Sequence, residues 1–168
     1  MYKKTIHIMS GNIASGKTTY AKLEMAPTDK RLSRDEWRAD MREMMGSKEY
    51  FPFSSAAEER AAWIDYINFW LERQYSVYWI DSTNLQMTQI YALMADLGLL
   101  WNDNVKVILH RFNTPLEVCL ARNMKREGFE RVPDEVVRKF DKLYNHAEIY
   151  LAEGMEENTE IWIHEYEE

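Results

Sequence analysis

Apolar and polar positions along the chain fall into short alternating bursts separated by longer stretches with helical spacing. Thr5-Ile6-His7-Ile8-Met9-Ser10 reads as a first strand, and Thr19-Tyr20-Ala21-Lys22-Leu23 can begin a helix soon after it. Lys30-Arg31-Leu32-Ser33 fits a brief second strand, followed by a helix over Asp35–Met45 that stops at Gly46. Ser55, with Glu58 three residues on, makes a capping box, and its helix runs to about Gln74 with Ile64, Ile67, Trp70 and Leu71 near one face. Ser76-Val77-Tyr78-Trp79-Ile80 is the clearest interior strand and delivers Asp81 at its end. Gln86 to Leu97 is helical up to Gly98, and Val105 to His110 is the next strand. Thr114-Pro115-Leu116-Glu117 repeats the capping-box pattern with proline at the first helical position, opening a helix towards Arg126 that ends near Gly128. Pro133 opens another helix to roughly Leu151, and Glu160 to Tyr166 alternates as a last, edge strand.

About five strands alternating with helices predict an α/β three-layer sandwich, a parallel sheet covered on both faces. No repeat, low-complexity tract or composition shift divides the 168 residues, so one domain over 1–168 is expected. A hydrophobic content of 46% argues against disorder. No apolar run is long enough to cross a bilayer and no signal peptide precedes residue 11, so a cytoplasmic protein without membrane partners is expected. Cys119 is the only cysteine and fits a packed helix position better than a reactive thiol. His7, His110, His146 and His164 show no metal-ligand spacing, which makes zinc an unpromising cofactor. The net charge of −7 disfavours a nucleic-acid partner only until its distribution is read. Seven Glu and no Lys or Arg lie in the acidic C-terminal segment 153–168, and the other 21 acidic residues balance the 21 Lys and Arg.

Four clusters carry candidate chemistry. Gly11-Asn12-Ile13-Ala14-Ser15-Gly16-Lys17-Thr18-Thr19 satisfies every fixed position of G-x-x-x-x-G-K-[ST] between a strand and a helix. In such a loop, inward backbone N–H groups and the helix N-terminus cradle phosphates, the lysine reaches the β/γ-phosphates and Thr18 ligates Mg²⁺. Beyond the second strand, Asp35 can accept a proton from an attacking hydroxyl and Arg38 can clamp an anion, or Asp35 can simply cap its helix. At the third strand's end, Asp81 can hold Mg²⁺ through water, while Thr83 and Asn84 either line a substrate pocket or only form the turn. Arg122 and Arg126, four apart, share a face of the expected helix and can close over a moving phosphoryl group, or can lie on a solvated helix end. Trp37, Tyr50, Phe51 and Phe53 are the aromatics best placed to stack on a base, with packing as the ordinary alternative.

The ordered set G-x-x-x-x-G-K-T, R-D-x-x-R, D-x-T-N and R-x-x-x-R, followed by a Val-Pro-Asp helix, resembles the phage-type polynucleotide 5′-kinases from about Thr5 to Asn145. That resemblance implies a P-loop kinase using ATP and Mg²⁺, with a nucleic acid, DNA or RNA, as acceptor. It makes Asp35 the general base and Arg38 the ligand of the phosphate beside the acceptor. Lys17 and Thr18 hold the donor phosphates and metal, and Arg122 and Arg126 act from a lid at about 122–133. The acidic position in the Asp81 turn varies among members. The best-known members add a phosphatase domain, whereas this chain continues into an acidic segment. The same branch includes phage enzymes that phosphorylate hydroxymethyl-pyrimidines such as 5-hydroxymethyluracil in DNA. A small-molecule or nucleoside kinase, and more distantly a nucleotide-dependent switch, stay open beside it.

Overall fold

The structure, a computed structural model, describes residues 1–145 and 147–168; His146 lies outside the described residues. Five strands form one all-parallel sheet: β1 (Lys4–Ser10), β2 (Lys30–Ser33), β3 (Val77–Asp81), β4 (Val105–Asn113) and β5 (Thr159–Glu165). Their order is β2-β3-β1-β4-β5. The helices are α1 (Lys17–Glu24), α2 (Arg34–Met45), α3 (Ala56–Leu71), α4 (Met87–Asp96), α5 (Leu116–Met124) and α6 (Asp134–Asn145). Among the described residues no helix is long and apolar enough to cross a membrane.

Alternation along the strands sends two sets of side chains to opposite faces. Ile6, Ile8, Leu32, Tyr78, Ile80, Val107 and Leu109 join Trp37 of α2, Trp63 and Ile67 of α3, and Ile90 and Met94 of α4 in the main core. Met9, Trp79 and Phe112 pack against Ala21 and Tyr20 of α1 on the other face. On that second face three histidines stand on neighbouring strands. His7 Nδ1 meets His110 Nε2 at 2.8 Å, and His110 Nδ1 meets His164 Nε2 at 2.8 Å. Trp79 stacks on His7 with ring centroids 3.7 Å apart, and Tyr20 lies over His110 and His164.

Three expected details differ. Thr114 does not cap α5; its hydroxyl donates to the Ser15 carbonyl at 2.7 Å, so the residue braces the glycine loop instead. The helix α5 ends at Met124, and Lys125 turns the chain with its N–H on the Arg122 and Asn123 carbonyls. Arg126 therefore lies beyond the helix, and the pair Arg122/Arg126 does not share a helical face. The cause is Asn123, buried, whose amide donates to the Val132 carbonyl and accepts from the Val132 N–H, folding 123–132 into a closed excursion. The described part of α6 runs Asp134–Asn145, and residues 147–151 are not helical, so the helix does not reach the expected Leu151. The acidic segment is not a loose tail: Met155, Asn158 and Thr159 are buried, and β5 is a sheet edge.

Candidate active site

The loop Gly11–Thr19 leaves the end of the central strand, where open parallel sheets bind ligands. Two glycines are required by geometry. A Cβ on Gly11 would stand 2.8 Å from Ser15 Oγ and 3.1 Å from Phe112 Cβ, and Gly16 takes φ +102° as it opens α1. Asn12 ties the loop to α6 through its amide on the Val137 carbonyl, while its Oδ1 accepts from Ile13 N–H. Ala14 is held at φ 60°, with its carbonyl accepting from Arg122. Lys17 is buried and donates to the Gly11 and Asn12 carbonyls at 3.0 and 2.6 Å. Burial lowers the Lys17 ammonium from its ordinary range, opposed by the carboxylates of Asp81 and Asp35 and reinforced by Arg126.

Thr18 donates to Asp81 Oδ2 at 2.6 Å, and Thr19 is exposed in the first turn of α1. The same Asp81 oxygen accepts from Arg31 of β2 at 3.0 Å. Asn84, at φ 42°, donates to the Met9 carbonyl, and its own carbonyl accepts from Ser10. The Asn84 amide is thus spent on joining the turn to β1 rather than facing an open cleft. Thr83 is half-buried and gives its carbonyl to Gly11 N–H.

Asp35 sits in the first turn of α2, capped by Ser33 rather than by itself, with its side chain 83% exposed. Arg38 Nη1 reaches Asp35 at 3.0 Å. The rest of the buried Arg38 guanidinium grips Glu59 of α3 through Nε and Nη2, and Arg34 shares the same carboxylate at 3.0 Å. Burial works against both charges, but the mutual bond prevails, holding Arg38 above and Glu59 below their ordinary values. Trp37 is a core residue, stacked between Trp63 and Phe53, which removes it and Phe53 from the rim. Tyr50 and Phe51 stay at the rim beside Arg38, with Phe51 60% exposed.

Opposite them, Arg122 Nη1 lies 3.1 Å from the Ala14 carbonyl and 3.6 Å from the position a Gly16 Cβ would take, directly over the loop. Arg126, Glu127, Gly128, Arg131, Val132 and Pro133 line a groove of about 410 Å³. Because β1, β2 and β3 run parallel, the glycine loop, Asp35 and Asp81 all lie at or just past strand ends on one end of the sheet. Sequence reasoning missed Glu59, Arg31 and Arg131, and included Arg34 in R-D-x-x-R without a role of its own. Glu59 had a readable signal: it shares the four-residue stripe of Trp63 and Ile67, and a carboxylate on a buried stripe needs a cation.

A glycine loop after the central strand of a parallel sheet with helices on both faces defines a P-loop NTPase sandwich of kinase-like fold. The chain belongs to the AAA domain family (AAA_33), which matches residues 6–146. No curated protein matches the chain by sequence. Among solved structures, a chain of the Pnkp1/Rnl/Hen1 RNA repair complex superposes with TM-score 0.66 at 17% identity over 87% of this chain. This chain spans 45% of that one. A gluconokinase from Sinorhizobium meliloti 1021 gives TM-score 0.57 at 12% identity, covering 97% of this chain and 84% of its own. A sugar kinase from Janibacter sp. HTCC2649 gives 0.60 at 18%, covering 96% and 85%. At these identities the likeness is one of fold.

Proposed function

We propose that the protein is an ATP-dependent kinase that transfers the γ-phosphoryl group to a nucleic-acid hydroxyl, the 5′ end of a DNA or RNA strand, as phage-type polynucleotide 5′-kinases do. The observation that carries this reading is the pairing of Asp35 with Arg38, itself gripped by Glu59, at the same end of the parallel sheet as the glycine loop. The residues fit the donor. The Gly11 cradle has no room for a Cβ, and inward amides at a helix N-terminus suit a polyphosphate. Two hard oxygens, Thr18 Oγ1 and Asp81 Oδ2, adjoin each other and suit Mg²⁺, which supplies neutralisation of charge on the donor phosphates when bound.

Asp35, exposed at the cleft, accepts the proton of the acceptor hydroxyl. Arg38 presents its Nη1 edge to the phosphate next to the accepting nucleoside, and Glu59 fixes that orientation. Lys17 holds the donor phosphates, and positive charge comes from Arg122 near the end of α5 and from Arg126 in the excursion 123–132, which acts as a lid. Positioning and charge stabilisation, rather than covalent chemistry, do most of the work in this class of reaction.

The test is incubation with γ-labelled ATP and a panel of acceptors: a 5′-hydroxyl oligonucleotide, an end-blocked duplex containing 5-hydroxymethyluracil, a nucleoside and gluconate. Mapping the label to the 5′ oxygen is the expected result. Label on the base or the sugar acid alone would replace this reading with a rival. Asp35→Asn should abolish transfer while ATP still binds, and Lys17→Ala and Arg126→Ala should lose activity with the fold intact.

A further inference from the structure

The rim of the cleft carries two aromatic rings that the mechanism above leaves unused. Tyr50 and Phe129 face each other with centroids 6.2 Å apart and planes tilted by 44°. They belong to opposite sides of the site. Tyr50 is tied to α2, its hydroxyl accepting from Arg38 Nη1 at 3.4 Å and its carbonyl from Arg42 Nη1 at 3.0 Å. Phe129 rides on the 3-10 turn Gly128–Glu130, three residues past Arg126, with Gly128 at φ 59° before it. Phe129 is 48% exposed, and the Arg42 guanidinium lies 4.2 Å from its ring.

The geometry points to Tyr50 and Phe129 as two jaws that take the acceptor's terminal nucleobase between them, one jaw fixed and one on the lid. This inference rests on the nucleic-acid reading above and names how that acceptor is held. A planar ring in contact with two others at about 3.5–4.0 Å each needs jaws roughly 7–8 Å apart. The observed spacing lies within about 1–2 Å of that, a distance that levelling the tilt and a small turn at Gly128 supply. The surroundings match the ligand: Arg38 and Arg42, one helical turn apart, interleave with Tyr50, Phe51 and Phe129. Cations alternating with exposed rings hold a backbone and its bases without reading base identity. A sugar acid or polyol acceptor has no flat face to offer and gains nothing there. Filling the jaws widens them and so moves the segment that carries Phe129 and Arg126, which couples base stacking to lid position.

The experiment compares two 5′-hydroxyl oligonucleotides, one ending in thymidine and one in an abasic tetrahydrofuran residue, with binding of a fluorescent ATP analogue measured alongside. In the native chain, kcat/KM should fall roughly ten- to a hundredfold without the base. Tyr50→Leu and Phe129→Leu should each bring that ratio towards one with ATP-analogue affinity unchanged, and Phe129→Tyr should restore it. Equal use of both ends by the native chain, or an undiminished ratio in both leucine variants, overturns the jaws while leaving the kinase reading intact. If neither oligonucleotide is phosphorylated while the ATP analogue binds, the nucleic-acid reading itself fails and the jaws fall with it.

Discussion

Acid should weaken this fold well before its carboxylates protonate, because of the histidine row across β1, β4 and β5. A neutral imidazole has one donor nitrogen and one acceptor, so three uncharged rings join in line donor to acceptor. The row can take one added proton by a change of tautomer, but a second on the adjoining ring sets two donors against each other at 2.8 Å, and burial opposes even the first. Burial lowers His110 from 6.5 to about 3, assisted by the positive charge its two histidine neighbours would carry. Burial likewise lowers His7 to about 4, with Asp29 opposing and Lys106 assisting, and lowers His164 against the pull of Glu24. The unfolded chain takes up these protons first. Stability is therefore full above the ordinary value of 6.5 and is lost as pH falls below it, until the folded values are reached. For His110, fully shielded from solvent, the slope rises towards about 1.4 kcal/mol per pH unit below 6.5, a loss of about 2 kcal/mol between pH 6.5 and 4.5. His7 and His164 add in the same direction, but less, since both are partly exposed and screened. Glu59, whose value is lowered by its arginines, begins to lose its contribution only below its ordinary 4.5, outside this window. Urea unfolding followed by tryptophan fluorescence at several pH values measures the slope, and NMR of the imidazole nitrogens reads each site directly. A flat unfolding free energy from pH 6.5 to 4.5, or a His110 ring that titrates near 6.5, would refute the reasoning.

Further expectations concern the site. Glu59→Gln leaves two guanidiniums competing for one neutral amide and should cost about 3 kcal/mol in urea unfolding, with kcat falling because Arg38 loses its brace. Asp81→Asn removes the partner of Thr18 and should raise the Mg²⁺ concentration for half-maximal activity about tenfold or more in a metal titration. Gly11→Ala forces a methyl into Ser15 Oγ and Phe112 Cβ; ATP-analogue binding should be lost, with a stability cost of about 1–3 kcal/mol.

What the sequence disclosed follows from how local each signal is. The strands and the loop were legible because alternation, glycine positions and the lysine lie within a few residues of one another. β2 falls on its expected Lys30–Ser33, whereas β4 continues three residues past its expected end because Arg111–Asn113 pair with β5. Local pattern failed where a side chain found a distant partner. The Thr114 hydroxyl left its helix for the Ser15 carbonyl, and Asn123 reached Val132, ending α5 early. In the site, Lys17, Thr18 and Asp35 could be singled out by type and spacing. The Arg38–Glu59 grip, and the approach of Tyr50 to Phe129, depend on how α2, α3 and the excursion 123–132 pack, which no short window of sequence encodes.

The placement of β5 changes how a shortened version of this chain would behave. Cutting away the last sixteen residues removes none of the proposed machinery, yet it strips the outer neighbour from β4 and bares a long apolar ribbon of unpaired amides. The glutamates along that final strand give the present border a charge that repels its like, so they act as a fence against sheet-to-sheet stacking. Trimming the acidic end for a tidier protein should fill inclusion bodies instead.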